Sequence, residues 1–457
     1  MNTPSKKRDV WGSKIGFVLA AAGSAIGLGN IWRFPYVTGE NGGAAFVLLY
    51  IIFIVLIGVP VMLSELAIGR HAQRNPVGAF RKIAPKSLWP LVGLMGVVTG
   101  IGILSYYSVI AGWTFGYFIK ALGGSFSNLT SAEQSSQIFT EFVKNPYQCI
   151  AYLFVFLTAT GFVVLGGISG GIEKWAKILM PLLFVLLLLL TLRSVTLPNA
   201  KAGLEFYLAP NFGKINAGTI ASALGQALFS LSLGMGAMIT YGSYISKKDN
   251  LAISAGYVCL FDTLIAVVSG LMIFPALFSM GLDPSGGPGL VFVVLPSIFD
   301  KMPGGIFFGA GFFLLLTVAA LTSTISLLEV AVTYFVDEFN WQRRRAVLLM
   351  SGLAFVLGIP SALSQGANSL LSNLPLVHLG FLDFANILLG NYSLTIGALL
   401  IAIFVGYKWG IKNLSAEITI ENNHFYGRPF WAIVIRYLCP VAIIVILLYI
   451  LLTGNYF

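Results

Sequence analysis

GSAIGLGN, residues 23–30, lies inside a long apolar stretch and sets a Gly-x-Gly where a membrane helix would be deepest. FSLSLGMGAM, residues 229–238, does the same further along the chain. Glycine costs a helix interior about 1 kcal/mol relative to alanine, so closely spaced glycines mark where helix is readily given up. A helix broken at the bilayer midplane bares carbonyls for cations and N–H groups for a carboxylate. Glycines also let helices pack closely in lipid, and for either stretch alone that reading stands equally well. Both stretches at matching places favour a pair of breaks.

The surroundings of these stretches make lipid the solvent. Of 457 residues, 57% are hydrophobic and 10% charged, with mean hydropathy +0.88; no soluble domain of ordinary size hides so much apolar surface. Eleven apolar runs are long enough to cross a core that takes about 20 residues per helix. They lie near 13–37, 44–69, 89–122, 147–166, 174–193, 218–245, 250–280, 304–335, 344–361, 381–407 and 429–452. A membrane β-barrel would alternate polar and apolar residues, whereas MPLLFVLLLLLTL at 180–192 is continuously apolar. The longest polar stretches, 123–146 and 408–428, are too short for a separate core, so residues 1–457 read as one transmembrane domain.

The formal charge of +10 would raise the question of nucleic acid in a soluble protein. Here its placement is a topology signal. Lys6, Lys7, Arg8 and Lys14 open the first span, Arg70, Arg74, Arg81, Lys82 and Lys86 follow the second, and Arg343, Arg344 and Arg345 follow the eighth. The opposite loops carry only scattered Lys120, Lys144, Lys201, Lys214 and Lys301. The N-terminus is expected in the cytoplasm, in a multi-pass protein of the inner (plasma) membrane. The basic start followed by small residues (20–25) superficially resembles a signal peptide, but ten further spans argue against cleavage. Cys149, Cys259 and Cys439 are too scattered for a disulfide framework or metal spacing. The Gly/Pro-punctuated segment 283–301 is too interrupted to span and is expected as a re-entrant or capping loop.

Five spans separate the two glycine stretches, and an odd offset reverses direction through the membrane. The fold expected is an all-α membrane protein of eleven helices: two inverted five-helix repeats (1–193 and 218–408) with discontinuous first and sixth helices, and an extra helix at 429–452.

Charges at mid-membrane cost roughly 2.5–3.5 kcal/mol, so each needs a reason. Glu65 and Glu329 are expected to accept hydrogen bonds from N–H groups freed at a break, and Arg33 to pair with Asp383. Asp262 has no basic partner nearby in sequence, and a bound cation would suit it. An enzyme is disfavoured because His71, His378 and His424 fall in or beside loops without a second ligand at spacing. A channel leaves the Arg and Asp over a midplane site unexplained.

GSAIGLGNIWRFPYVTGENGGAAF (23–46) closely resembles the first-span signature of the neurotransmitter:sodium symporter family. The likeness continues through GVPVMLSELAIGR (58–70), YYSVIAGW (106–113), GQALFSLSLGMGAMITYGSY (225–244), LTSTISLLEV (321–330) and LDF (382–384), and is strongest to the prokaryotic eleven-span branch. The resemblance implies a sodium-coupled secondary active symporter, not an enzyme, that imports a small amino acid with two sodium ions. One ion would meet the Ala25 carbonyl, Asn30, Ser230, Asp262 and the substrate carboxylate. The other would sit among the carbonyls of Gly23, Ile26 and Ala319 and the hydroxyls of Thr322 and Ser323. Such all-oxygen, largely neutral shells suit a hard monovalent cation.

By the same resemblance the substrate carboxylate meets N–H groups around Leu28 and Gly29 and the Tyr107 hydroxyl. The ammonium meets carbonyls around Ser24, Phe229 and Ser232, and the side chain lies against Ile103, Phe229, Met235, Ser323 and Leu327. Met235 stands where some relatives carry phenylalanine, and its flexible thioether suggests a hydrophobic or aromatic substrate. Arg33 and Asp383 resemble an outer gate with Phe229 and Tyr107 as its lid, and Arg8 and Asp337, with Trp11 and Tyr244, an inner one. Chloride-dependent relatives hold the anion with groups of which Tyr50, Gln226 and Ser230 are kept, while Asp262 stands for an asparagine and Ala266 for a serine. A fixed carboxylate there implies chloride independence. Once its sodium leaves a low-dielectric site the neutral form is favoured, which implies return of the carrier with a proton. A sodium-dependent amino-acid sensor without net transport would carry the same pocket. No nucleic-acid partner is expected, and the sequence leaves the oligomeric state open.

Overall fold

Apolar runs with their polar groups turned inward produce helices throughout the described residues, and no strand is found among them. The structure is a computed structural model that describes residues 8–127, 129, 132–282, 284, 290–300, 303–422, 424, 425 and 427–454. Lys6, Lys7 and Lys301 of the charge pattern lie outside the described residues, as do 283 and 285–289 of the expected capping loop. Within that loop, Leu290–Asp300 forms a short apolar helix.

Among the described residues nine helices are long and apolar enough to cross a membrane: Ala44–Ala72, Pro90–Leu122, Pro146–Leu165, Ile168–Val195, Leu251–Ser279, Gly305–Phe339, Arg343–Leu363, Phe381–Trp409 and Arg428–Thr453. A tenth crossing is a bent pair, Lys14–Ala25 and Gly29–Glu40, with an angle of 53° at the break. Where a sixth span was expected, two shorter helices, Ala217–Ser230 and Ala237–Gly242, flank a non-helical stretch. Helix starts follow their caps: the Ser13 hydroxyl accepts from Gly16 N–H at 3.0 Å, and Pro90 and Pro146 occupy first turns where no N–H is needed.

Both breaks have local causes. In the first, Ile26 turns extended (φ −73°, ψ 104°) after the Ala25 terminus, and the chain resumes at Gly29 in a π-helical turn. In the second, Ser232, Gly234 and Gly236 have φ of +54°, +87° and +78°. Gly234 is obligatory twice over, because a Cβ there would also run into the Leu394 carbonyl and the Ala398 nitrogen. The long Pro90–Leu122 and Gly305–Phe339 helices pack along one another beside the breaks. Polar side chains such as Asn30, Glu65, Asp262 and Glu329 are wholly buried, while Leu188, Leu192, Val441 and Leu448 face outward, the inverse of a soluble protein's layout.

Candidate functional site

The two breaks touch. The Ser232 hydroxyl donates to the Ser24 carbonyl at 3.0 Å, so a residue held at positive φ in one break tethers a carbonyl freed in the other. Glu65 accepts from Gly234 N–H at 2.7 Å, as expected of an acid beside a broken helix.

Beside this junction lies the Asp262 carboxylate. It accepts from Asn30 Nδ2 at 2.8 Å, from Tyr50 OH at 3.0 Å, and from Ser230 Oγ at 2.9 and 2.8 Å to its two oxygens. All four residues are buried, and among the described residues Asp262 takes part in no ion pair. A buried carboxylate with only neutral donors is costly and leaves an uncompensated negative charge. Asn30 is held on its other side by Gly27 N–H, which donates to Oδ1 at 3.2 Å. Gln226, expected near this group, turns elsewhere: its Nε2 donates to the Gly29 carbonyl at 2.9 Å and its Oε1 accepts from Arg33.

A second cluster of oxygens forms where the first helix ends against Gly305–Phe339. Thr322 Oγ1 lies 3.4 Å from the Ile26 carbonyl and 2.9 Å from that of Ala319. Ser323 Oγ lies 3.3, 3.4 and 3.5 Å from the carbonyls of Ser24, Ile26 and Ala319. Gly23 abuts this cluster, since a Cβ on it would lie 3.2 Å from Thr322 Cβ. Among the described residues no three His, Cys, Asp or Glu gather as a metal site would require, so both clusters offer neutral oxygens with at most one carboxylate.

Between the clusters lies a cavity lined by Ala25, Gly27, Gly29, Ile103, Tyr107, Phe229, Ser230, Ser232, Met235, Ser323, Leu327 and Leu394. All the residues expected around a substrate are there except Ser24 and Leu28. The Ser24 hydroxyl points away, donating to Ser326 Oγ at 2.7 Å. Leu28 N–H, expected to face a carboxylate, instead donates to the Tyr107 hydroxyl at 2.9 Å. Gly27 and Leu394 were missed; Leu394 lies in a span with no paired glycine break and no nearby charge to draw notice, although Gly390 and Gly397 flank it.

The two gate pairs differ. Arg8 and Asp337 are joined at 2.7 Å, with Arg8 also donating to Ser243 Oγ at 2.6 Å and lying 4.7 Å over the Tyr244 ring. Trp11 Nε1 donates to the Tyr241 carbonyl at 3.1 Å and closes the same side. The pairing expected between Arg33 and Asp383 is not made. Arg33 donates to Gln226 at 3.0 Å and lies 4.4 Å over the Phe229 ring, while Asp383 is exposed. Glu329 also corrects expectation: it is ion-paired with Arg343 at 2.5 Å and accepts from Tyr244 OH at 2.8 Å, rather than from a broken helix. Glu173, which drew no notice in the sequence, is buried and accepts from Gly12 N–H at 2.6 Å and Ser13 Oγ at 2.8 Å. The only hint was Lys177 four residues on, with which it pairs at 2.6 Å.

Broken helices within a membrane bundle, bare carbonyls and a buried lone carboxylate define a membrane carrier for a cation and a small polar solute. The chain belongs to the sodium:neurotransmitter symporter family, whose model matches residues 8–140 and 132–455; it is a multi-pass, sodium-dependent symporter. It is 42% identical over 442 residues to an uncharacterized sodium-dependent transporter of Bacillus subtilis (strain 168), YhdH, covering 96% of each chain. It is 28% identical over 512 residues to the sodium-dependent serotonin transporter of Drosophila melanogaster, across 98% of this chain and 77% of that one. Its fold matches the crystal structure of MhsT in complex with L-phenylalanine with a TM-score of 0.89 at 45% identity, over 97% of this chain and 99% of that chain.

Proposed function

We propose that this chain imports a hydrophobic or aromatic amino acid together with two sodium ions, without chloride, and returns with a proton on Asp262. It would do so as an eleven-span protein of two inverted five-helix repeats and one added helix, with its N-terminus in the cytoplasm. The observation that carries the reading is the cavity between two helix breaks, flanked by a buried carboxylate without a cationic partner and by a ring of carbonyls and hydroxyls. The L-phenylalanine in the MhsT complex supports the substrate class. Counting the bent and the broken pair as one crossing each supports eleven spans.

In this reading Asp262, Ser230, Asn30 and the Ala25 carbonyl hold the first sodium; a half-turn of the Asn30 amide would bring Oδ1 in place of Nδ2. The second is held by Gly23, Ile26, Ala319, Thr322 and Ser323. The substrate carboxylate lies near Gly29 and the Tyr107 hydroxyl, its ammonium on the Ser24, Phe229 and Ser232 carbonyls, and its side chain against Ile103, Phe229, Met235, Leu327 and Leu394. With Arg8–Asp337 latched and Arg33 away from Asp383, the outer side is the one ready to admit solute. Substrate would draw Phe229 and Arg33 over it toward Asp383, and the Arg8 latch would then release.

Each sodium entering through about 100 mV contributes roughly 2.3 kcal/mol, and a tenfold concentration ratio adds about 1.4 kcal/mol. Two ions thus supply about 7 kcal/mol, the proton carried out against the same potential takes back roughly 2.3 kcal/mol, and the remaining ~5 kcal/mol sustains roughly a 10⁴-fold gradient of a zwitterion at equal pH. The test is uptake of labelled phenylalanine and leucine into proteoliposomes under an imposed sodium gradient, with competition by the twenty amino acids. Accumulation that collapses without sodium is expected. Sodium-dependent binding without accumulation would instead make the chain a sensor.

A further inference from the structure

Away from the breaks, the ends of Ile168–Val195, Leu251–Ser279 and Gly305–Phe339 and the short helix Leu290–Asp300 meet around a second, narrow apolar groove of about 20 Å³. Its walls include Leu190, Ala276, Leu295, Phe299, Phe308 and Phe312. Neighbouring Leu189, Leu192 and Phe307 are exposed, so the groove opens toward the lipid-facing surface.

Two polar groups interrupt these walls. Arg193, two residues from its helix end, is at the membrane boundary. Among the described residues its guanidinium donates only to Thr196 Oγ1, at a long 3.4 Å, and it lies 5.8 Å over the Phe308 ring. Among the described residues it joins no ion pair, unlike Arg8, Arg70, Arg81 and Arg343. Ser194, beside it, is 3% exposed and, among the described residues, its hydroxyl has no hydrogen-bond partner, although it lines the groove. A buried hydroxyl without a partner is uncommon and calls for one.

We infer that this groove is a binding site for one anionic phospholipid, with an acyl chain along the apolar walls, the phosphate on Arg193 and a glycerol ester oxygen on Ser194. The chemistry selects this occupant. An unpaired guanidinium at the boundary attracts an anionic headgroup over a neutral one. Among the described residues the lining holds no carboxylate for an ammonium, which argues against a second amino-acid site here. An apolar groove open to the lipid-facing surface beside a phosphate binder suits a lipid better than a free anion. Because four helices from both halves of the chain meet at the groove, a lipid seated there would bridge them.

The test is native mass spectrometry of the purified full chain loaded with equimolar phosphatidylglycerol and phosphatidylcholine. The wild type should retain phosphatidylglycerol preferentially, and Arg193→Gln should lower its retention about fivefold. Ala276→Phe, which fills the groove, should lower retention of both lipids. Arg436→Gln, which alters another boundary arginine set over an aromatic ring, should change neither. Equal retention by wild type and Arg193→Gln overturns the inference, and so does an equal fall in Arg436→Gln, which would mark unspecific attraction. If Ala276→Phe does not give a monodisperse protein, the arginine pair decides alone.

Discussion

Replacing Asp262 by asparagine removes one charge from a buried site while keeping its shape. The carboxylate now accepts from Asn30 and Ser230 on one oxygen and from Tyr50 and Ser230 on the other. An asparagine accepts on one side only, but the Tyr50 hydroxyl can turn to Ser230 Oγ, 3.2 Å away, and the fold should survive. The sodium site should not. A unit charge about 4 Å from a cation is worth about 4 kcal/mol at an effective dielectric constant of roughly 20, close to 10³-fold in affinity. The assay is the sodium dependence of phenylalanine uptake into proteoliposomes, with chloride or gluconate as the only anion. In gluconate, half-saturation should move to about 10³-fold higher sodium, and chloride should restore part of the loss by resupplying negative charge. Wild type should be indifferent to the anion. Unaltered sodium dependence of Asp262→Asn in gluconate would refute the reasoning.

Glu65→Ala leaves the Gly234 N–H buried without its acceptor, so melting curves should show a loss of about 1–3 kcal/mol, largely recovered in Glu65→Gln. Arg8→Ala removes a largely buried latch, with side chains 17% and 16% exposed, and its charged hydrogen bonds are worth about 1.5–3 kcal/mol; labelling of a reporter cysteine replacing Ala20 should rise at least about tenfold, over a low background because Cys149, Cys259 and Cys439 are buried. Met235→Phe narrows the cavity and should shift selectivity from phenylalanine toward leucine about tenfold in competition assays. Glu417, outside the spans, is drawn upward by burial, but hydrogen bonds from His71 and Arg70 outweigh this and hold its carboxyl below the ordinary range. A carboxyl lowered on folding adds stability that is whole above its ordinary pKa of about 4.3 and is lost as pH falls through the lower folded value. The melting difference between wild type and Glu417→Gln should therefore stay constant above about pH 5 and shrink below about pH 4, from a neutral-pH value of about 3 kcal/mol set by the buried Arg70 left unpaired.

What could be read before the structure, and what could not, follows the range of the forces involved. Glycine spacing and apolar run length act within a few residues, so both breaks and most helices were legible. Glu65 was legible too, because a freed N–H must find an acceptor and few acids lie within the bilayer. Glu329 was assigned the same role wrongly: its partner Arg343 lies past a helix end, and nothing in the sequence says that the chain folds back to bring it near. Arg70 read as a loop charge marking the cytoplasmic face, yet it is wholly buried against Glu417, 347 positions away. The turning of Gln226 toward Arg33, and of Leu28 N–H toward Tyr107, are choices among competing partners that only coordinates resolve.

The stretch Asn386–Ser393 is π-helical, and it is tied at both ends to the Pro90–Leu122 helix, by Tyr106 OH to Asn386 at 3.1 Å and by Thr99 to Ser393 at 2.5 Å. A π turn carries one residue more than an α turn, and that surplus residue sets the angle between Asp383 ahead of it and Leu394 behind it. Dropping a single residue here would swing the two apart by about 100° around the axis. During divergence this segment should therefore tolerate exchange of its side chains far better than any change in its length.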